Sequence, residues 1–180
     1  MPTSPPELAF RFDAEKHIYT LGDEQLPSVS SILVAAGIAP AFSYRNSKID
    51  YARDLGTYVH AACALWDRGE LVEETLDPAI MPYLAGWKAF SVKRGCTWER
   101  IEESDYYLDH VTGVRFAGTP DRIGLVDVAD CVVDIKTGEQ KDWHGIQLSA
   151  YQRLAACWGG YGLLAVYLHA DGTNDEQEYE

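Results

Sequence analysis

The sequence predicts an α/β domain of the α+β kind, with a central mixed β-sheet flanked by helices. Helical periodicity dominates the first half, period-2 strands follow residue 95, and a helix and a strand close the chain. The length of 180 residues, 47% of them hydrophobic, suits one domain with a sizeable core. Glycine and proline punctuate the pattern at its turning points.

Residues 1–7 are proline-rich and read as a loose leader. AFRFDAEKHIYTLG alternates apolar and polar positions around a polar turn, which predicts a hairpin. LPSVSSILVAAG predicts a short helix, with Ser28 or Ser30 as N-cap and Gly37 as its stop. A long helix is predicted over 47–68, because Ile49, Ala52, Leu55, Val59, Ala62 and Trp66 recur at helical spacing. Asp77-Pro78 is a helix start and Gly95 a stop for the next.

CTWERIEESDYYL and VRFAGTP predict two strands joined by the turn DHVTG. DRIGLVDV and DCVVDIKTG predict two more, the second apolar enough to be central. GIQLSAYQRLAACW predicts a helix, and LLAVYLHA a last strand. The tail, 171–180, is acidic and expected to fray. No linker or internal repeat divides residues 1–180, so they read as a single domain.

The formal charge of −13 is not the basic balance of a protein that binds nucleic acid by charge alone. Such binding would need a local basic path or bound cations. Two groups of bases could supply the path: Arg45, Lys48 and Arg53, or Lys88, Lys93, Arg94 and Arg100. Cys63, Cys96, Cys131 and Cys157 are widely spaced, which argues for isolated reduced thiols rather than a zinc or iron–sulfur site. The sequence shows neither a secretory signal nor a run long enough to span a membrane, so a cytoplasmic protein is expected.

Chemistry concentrates in GTPDRIGLVDVADCVVDIKTG, residues 118–138. Strand neighbours two apart share a face, so Asp134 and Lys136 project together while Val133 and Ile135 face the other way. A charged pair on a buried strand costs free energy unless it is paired or binds a metal. If the two strands form a meander, Asp121 and Asp134 converge near one end of the sheet. Converging carboxylates repel, and a hard divalent cation relieves the repulsion. Alternatively, Asp134 and Lys136 form a surface ion pair. Thr137 follows Lys136 as in a phosphate-binding loop, but the glycines that should precede the pair are missing.

Pro120-Asp121 followed by Asp134-Ile135-Lys136 resembles the motif of the PD-(D/E)xK nuclease superfamily. Gly56-Thr-Tyr-Val-His60 resembles the Gly-x-x-x-His motif of its RecB-like and phage-type exonucleases. Gln147-Leu-Ser-Ala-Tyr151 resembles their Gln-x-x-x-Tyr motif. These signals stand in the family's order from residue 56 to 151. LPSVSSIL and YARDLGTYVH are also similar to segments of phage-encoded and mitochondrial genome-maintenance exonucleases. The family places a further acid on the strand before Gly-Thr-Pro-Asp, and IEES offers Glu102 and Glu103. Glu103 is preferred, because Ser104, Tyr106 and Leu108 then form the alternate packing face.

The resemblance implies a restriction-endonuclease-like core and a Mg²⁺- or Mn²⁺-dependent deoxyribonuclease. It implies that Asp121, Asp134 and the carbonyl of Ile135 hold the metal, with Glu103 and His60 completing the site or holding a second ion. It gives Lys136 the attacking water, Gln147 the orientation of Lys136 or substrate, and Tyr151 support of that shell. It further implies action on DNA ends or single strands in phage or bacterial recombination, repair or replication. An exonuclease needs a narrow passage for a free end, which an arch of the N-terminal helices or a ring of subunits would form, so a homo-oligomer or a recombination partner protein is a further expectation. The alternatives are a structure-specific endonuclease, or a non-catalytic nucleic-acid-binding or assembly module on the same fold. Trp143 and His144 either stack on a base or cover the core.

Overall fold

A computed structural model describes residues 9–41, 47–155 and 160–180, with the Lys48 side chain excepted. Arg45 and Cys157 lie outside the described residues. The architecture is mixed α/β, consistent with α+β: a five-stranded mixed sheet with helices on both faces and two small sheets beside it.

The N-terminal hairpin is β1 (Phe10–Asp13) and β2 (Ile18–Leu21), extended to a three-stranded sheet by β3 (Glu24–Leu26). Helix α1 (Val29–Ala35) follows. Its N-cap is Ser28, whose Oγ accepts from Ser31 N–H at 3.0 Å. Helix α2 (Ser47–Asp67) is the long predicted helix. Before α3 (Met81–Lys93), Asp77 accepts from Ala79 N–H and so opens the turn leading into the helix. Gly95, at φ +55°, ends it in a conformation that costs glycine little.

The predicted strand 96–108 is instead two strands in different sheets. β4 (Thr97–Ile101) joins the large sheet, and β5 (Asp105–Leu108) leaves to form a hairpin with β6 (Arg115–Gly118). The chain turns at Glu102, which adopts φ +53°. β7 (Arg122–Val126) and β8 (Ala129–Lys136) form a tight hairpin through Asp127 and Val128, both at positive φ. Helix α4 (His144–Leu154) then crosses over to β9 (Gly162–Leu168), which runs parallel to β8.

The tail does not fray. Asn174–Tyr179 form β10, the edge strand paired antiparallel with β9. Charge alone suggested a solvated end, but the acids have partners. Glu176 pairs with Lys93 and Arg94, and Tyr179 packs on Gly145. The full order of the large sheet is β10-β9-β8-β7-β4.

Alternation along the central strands feeds two cores. Val133, Ile135 and Val166 face α2 and α3, where Val59, Trp87 and Phe90 are fully buried. Val132, Ala165 and Ile123 face α1 and α4, against Leu33, Leu148 and Leu154. Among the described residues, no helix is long and apolar enough to cross a membrane.

Candidate metal centre

Register brings three acids into one row across the sheet. Ile101 pairs with Arg122, and Arg122 with Val133. One step further along, the Glu102 N–H donates to the Asp121 carbonyl at 3.0 Å, and Asp121 falls opposite Asp134. Directly opposite residues of antiparallel strands share a face, so Asp121 and Asp134 stand on the side of α4. Asp121 is fixed by a bond from the Ile135 N–H to its Oδ2 at 2.6 Å. Ile135 therefore enters the site through its amide, while its side chain is wholly in the core.

Helix α2 delivers His60 to the end of this row. Its Nδ1 lies 3.3 Å from Asp121 Oδ1 and 3.7 Å from Glu102 Oε1. One donor atom each from His60, Glu102 and Asp121 falls within 4.8 Å of the others. Gly56 allows this approach. A side chain there would begin 3.2 Å from Thr137 Oγ1, just past the lysine strand.

The acid supplied by IEES is Glu102, not Glu103. The Glu103 side chain is 61% exposed and pairs with Arg100, whereas Glu102 is 29% exposed and faces His60. The preference for Glu103 assumed unbroken alternation through residue 108. The left-handed residue at 102 breaks it and shifts the phase by one. A non-glycine residue at positive φ costs on the order of 1 kcal/mol or more and persists only where its surroundings fix it.

The tight group does not include Asp134. Its carboxylate is ion-paired with Lys136. Lys136 Nζ also donates to Gln147 Oε1 at 2.9 Å, and Gln147 Nε2 donates to the Tyr151 hydroxyl at 3.2 Å. Gln147 and Tyr151 thus share a face of α4 and together set the lysine. Tyr151 also lies against Gly118, where a Cβ would stand 2.9 Å from its ring. Lys136 Nζ sits 5.9 Å from the Trp143 ring centroid, within cation–π range. His144 turns inward, with Nδ1 2.7 Å from the Tyr167 hydroxyl, so it covers the core.

The electrostatics favour positive charge between the acids. Burial alone would lower the His60 imidazole, but the Asp121 charge and bonds to Asp121 and Glu102 raise it to about 10. Burial pushes the Asp134 carboxyl up, Lys136 opposes this, and the nearby Asp121 charge adds to the rise. Burial would also raise Asp121, but His60, Lys136 and the Ile135 amide hold it below the usual carboxylate range. Two facing carboxylates have been driven apart, as like charges require. Asp134 Oδ2 is buried without an aligned hydrogen bond despite its lysine neighbour. Imidazole nitrogen and carboxylate oxygens, one of them shared with Lys136, suit a divalent cation.

Two supporting networks escape sequence reading. Arg122 is 0% exposed and pairs with Asp67 of α2, whose side chain is 1% exposed, at 2.6 Å. Arg122 Nη1 also reaches Glu102 Oε1 at 3.3 Å and the Asp121 carbonyl at 2.6 Å. Asp67 accepts from the indoles of Trp87 and Trp98 as well. A charge on the core-facing side of the strand DRIGLVDV was the available signal. The second network centres on Thr119. Its Oγ1 lies 2.9 Å from the Tyr19 hydroxyl and 2.8 Å from Ser104 Oγ. It ties the turn after Glu102 to the turn before Asp121.

No protein-family model and no curated protein matches this chain.

Proposed function

We propose that the protein is a metal-dependent nuclease hydrolysing phosphodiester bonds in DNA, with a restriction-endonuclease-like core. The observation that carries this is the row Glu102, Asp121 and Asp134, closed by His60 at one end and Lys136 at the other. The element order helix, three antiparallel strands, crossover helix and parallel strand supports the same reading.

In this reading His60, Glu102 and Asp121 would hold Mg²⁺ or Mn²⁺, with Asp134 and the Ile135 carbonyl as further candidate ligands. A divalent ion held there would supply Lewis acidity toward the phosphodiester. Lys136, held by Gln147, orients the attacking water and offsets negative charge developing on the phosphate. Tyr151 keeps Gln147 in place from the buried side. Arg122 holds Glu102 in its left-handed conformation and so acts as a positioning residue. Action on ends, rather than within the strand, is the form proposed.

End-labelled linear DNA with Mn²⁺ tests this. The protein should shorten it, and chelator or Asp134→Ala should stop the reaction. A covalently closed circle should survive. If linear and circular DNA both stay intact with metal bound, the catalytic reading is wrong and a binding module remains. If the circle is cut, the enzyme is an endonuclease.

A further inference from the structure

The cations of the protein divide by what they touch. Lys88 bonds Glu73, Lys93 bonds Glu176, and Arg94 is spanned by Asp127, Glu176 and Glu178. Arg100 is held by Glu103 and Asp105. This cationic group is committed to acids of its own fold. A groove of about 860 Å³ opens beside the His60, Glu102 and Asp121 cluster; among the described residues Arg53, Arg68 and Lys136 line it, and Lys136 is already paired with Asp134. Arg68 gives one bond to the Ile101 carbonyl. Arg53 has Asp50 and Asp54 at 3.5 Å, both pairs exposed and so worth little.

Helical spacing orders these groups. Arg53 and His60 fall about two turns apart on one face of α2, and Arg68 follows eight residues on, just past the helix end at Asp67. The metal cluster therefore lies between two cations on a single groove. The next face of the helix is different. Tyr51 and Tyr58, seven residues apart, are 63% and 62% exposed and line a second groove of about 630 Å³ with Leu55 and Ile80. The two grooves meet at Ala61 and Leu65 on the crest of α2. Asp54 and Asp77 border the tyrosine groove. They repel phosphates there and leave the ring faces for uncharged groups.

We infer that α2 is a guide for single-stranded polynucleotide: its phosphates lie on Arg53 and Arg68 astride the metal cluster, and its bases turn over Ala61 onto Tyr58 and Tyr51. This rests on the nuclease reading for the identity of the reacting phosphate, and names the substrate form that site takes. Aromatic stacking suits unpaired bases, whereas a duplex keeps its ring faces inside the helix. The arrangement also resolves the charge conflict. The chain carries −13 overall, yet this groove offers Arg53 and Arg68 to one strand.

The test is fluorescence anisotropy with labelled oligothymidylate and with a matched duplex, in chelator and in Ca²⁺. The single strand should bind more tightly than the duplex. Arg53→Ala and Arg68→Ala should each weaken binding and lower the slope of log affinity against log salt by about 0.7. Tyr58→Ala should weaken binding roughly five- to a hundredfold with the salt slope unchanged, and Tyr58→Phe should restore it. All three positions are exposed, and thermal melts of the variants should match the parent. Unchanged affinity and slope in the arginine variants, an inert Tyr58→Ala, or equal binding of duplex overturns the guide. Strand binding without cleavage in Mn²⁺ overturns the catalytic reading alone. Cleavage that ignores all these substitutions overturns the guide alone.

Discussion

Replacing Arg122 with Met should be among the most damaging single substitutions in the protein. The guanidinium is fully buried and Asp67, its partner at 2.6 Å, is 1% exposed. Burial already pushes the Asp67 carboxyl up, and Arg122 is the first of the groups holding it down. Without the guanidinium, two indole N–H groups remain, but no counter-charge. Removing one member of a buried ion pair costs about 3–5 kcal/mol, because the other charge is left in low dielectric. That is a large share of a total stability of about 5–15 kcal/mol. Arg122→Met/Asp67→Asn should recover most of the loss, since the amide carbonyl still accepts from both indoles and no charge is stranded. Urea titration at pH 7, followed by the fluorescence of Trp87 and Trp98, measures all four corners of the cycle. A loss under about 1 kcal/mol in Arg122→Met, or a double variant no better than the single, would refute the buried-pair argument.

Three further outcomes follow from the same geometry. Glu102→Gln should weaken Mn²⁺ binding by at least roughly tenfold in calorimetry, while Glu103→Gln stays within about twofold, because Glu103 faces solvent. Thr119→Val deletes the hydroxyl contact to Ser104, which joins the Glu102 and Asp121 turns, and the one to Tyr19 of β2; it should cost about tenfold in Mn²⁺ affinity, with Thr119→Ser near the parent. Burial, then Lys136 and Lys141, lower the His144 imidazole to about 4. The folded form thus resists a proton that the unfolded chain accepts below its ordinary value of about 6.5. Stability should be full above that value and fall as pH drops toward 4, by up to about 3 kcal/mol. The difference between parent and His144→Gln, melted across this window, isolates the effect; parallel curves would contradict it.

The helix and strand pattern was legible because periodicity reports burial directly. Asp134 and Lys136 could be placed on one face because β8 is regular from Ala129 to Lys136. Glu102 could not be chosen, because alternation holds only while the backbone stays extended, and it leaves that region at this residue. Arg122 and Asp67 are 55 residues apart, so their pairing is a tertiary fact that local pattern does not carry. The tail reads as solvated by composition, yet it is a strand because β9 offers an edge and Lys93 and Arg94 meet its acids. Of the two basic groups, one is neutralised by the fold. Of the other, only Arg53 can be followed, and it lines the site groove with Arg68, which composition did not single out.

Anomalous diffraction from a crystal soaked in Mn²⁺ tests the central claim most directly. A peak is expected about 2.0–2.6 Å from His60 Nδ1, Glu102 Oε1 and Asp121 Oδ1, with Asp134 Oδ2 turned toward it. A peak seated only on exposed carboxylates such as Glu103, or none at saturating Mn²⁺, would contradict it.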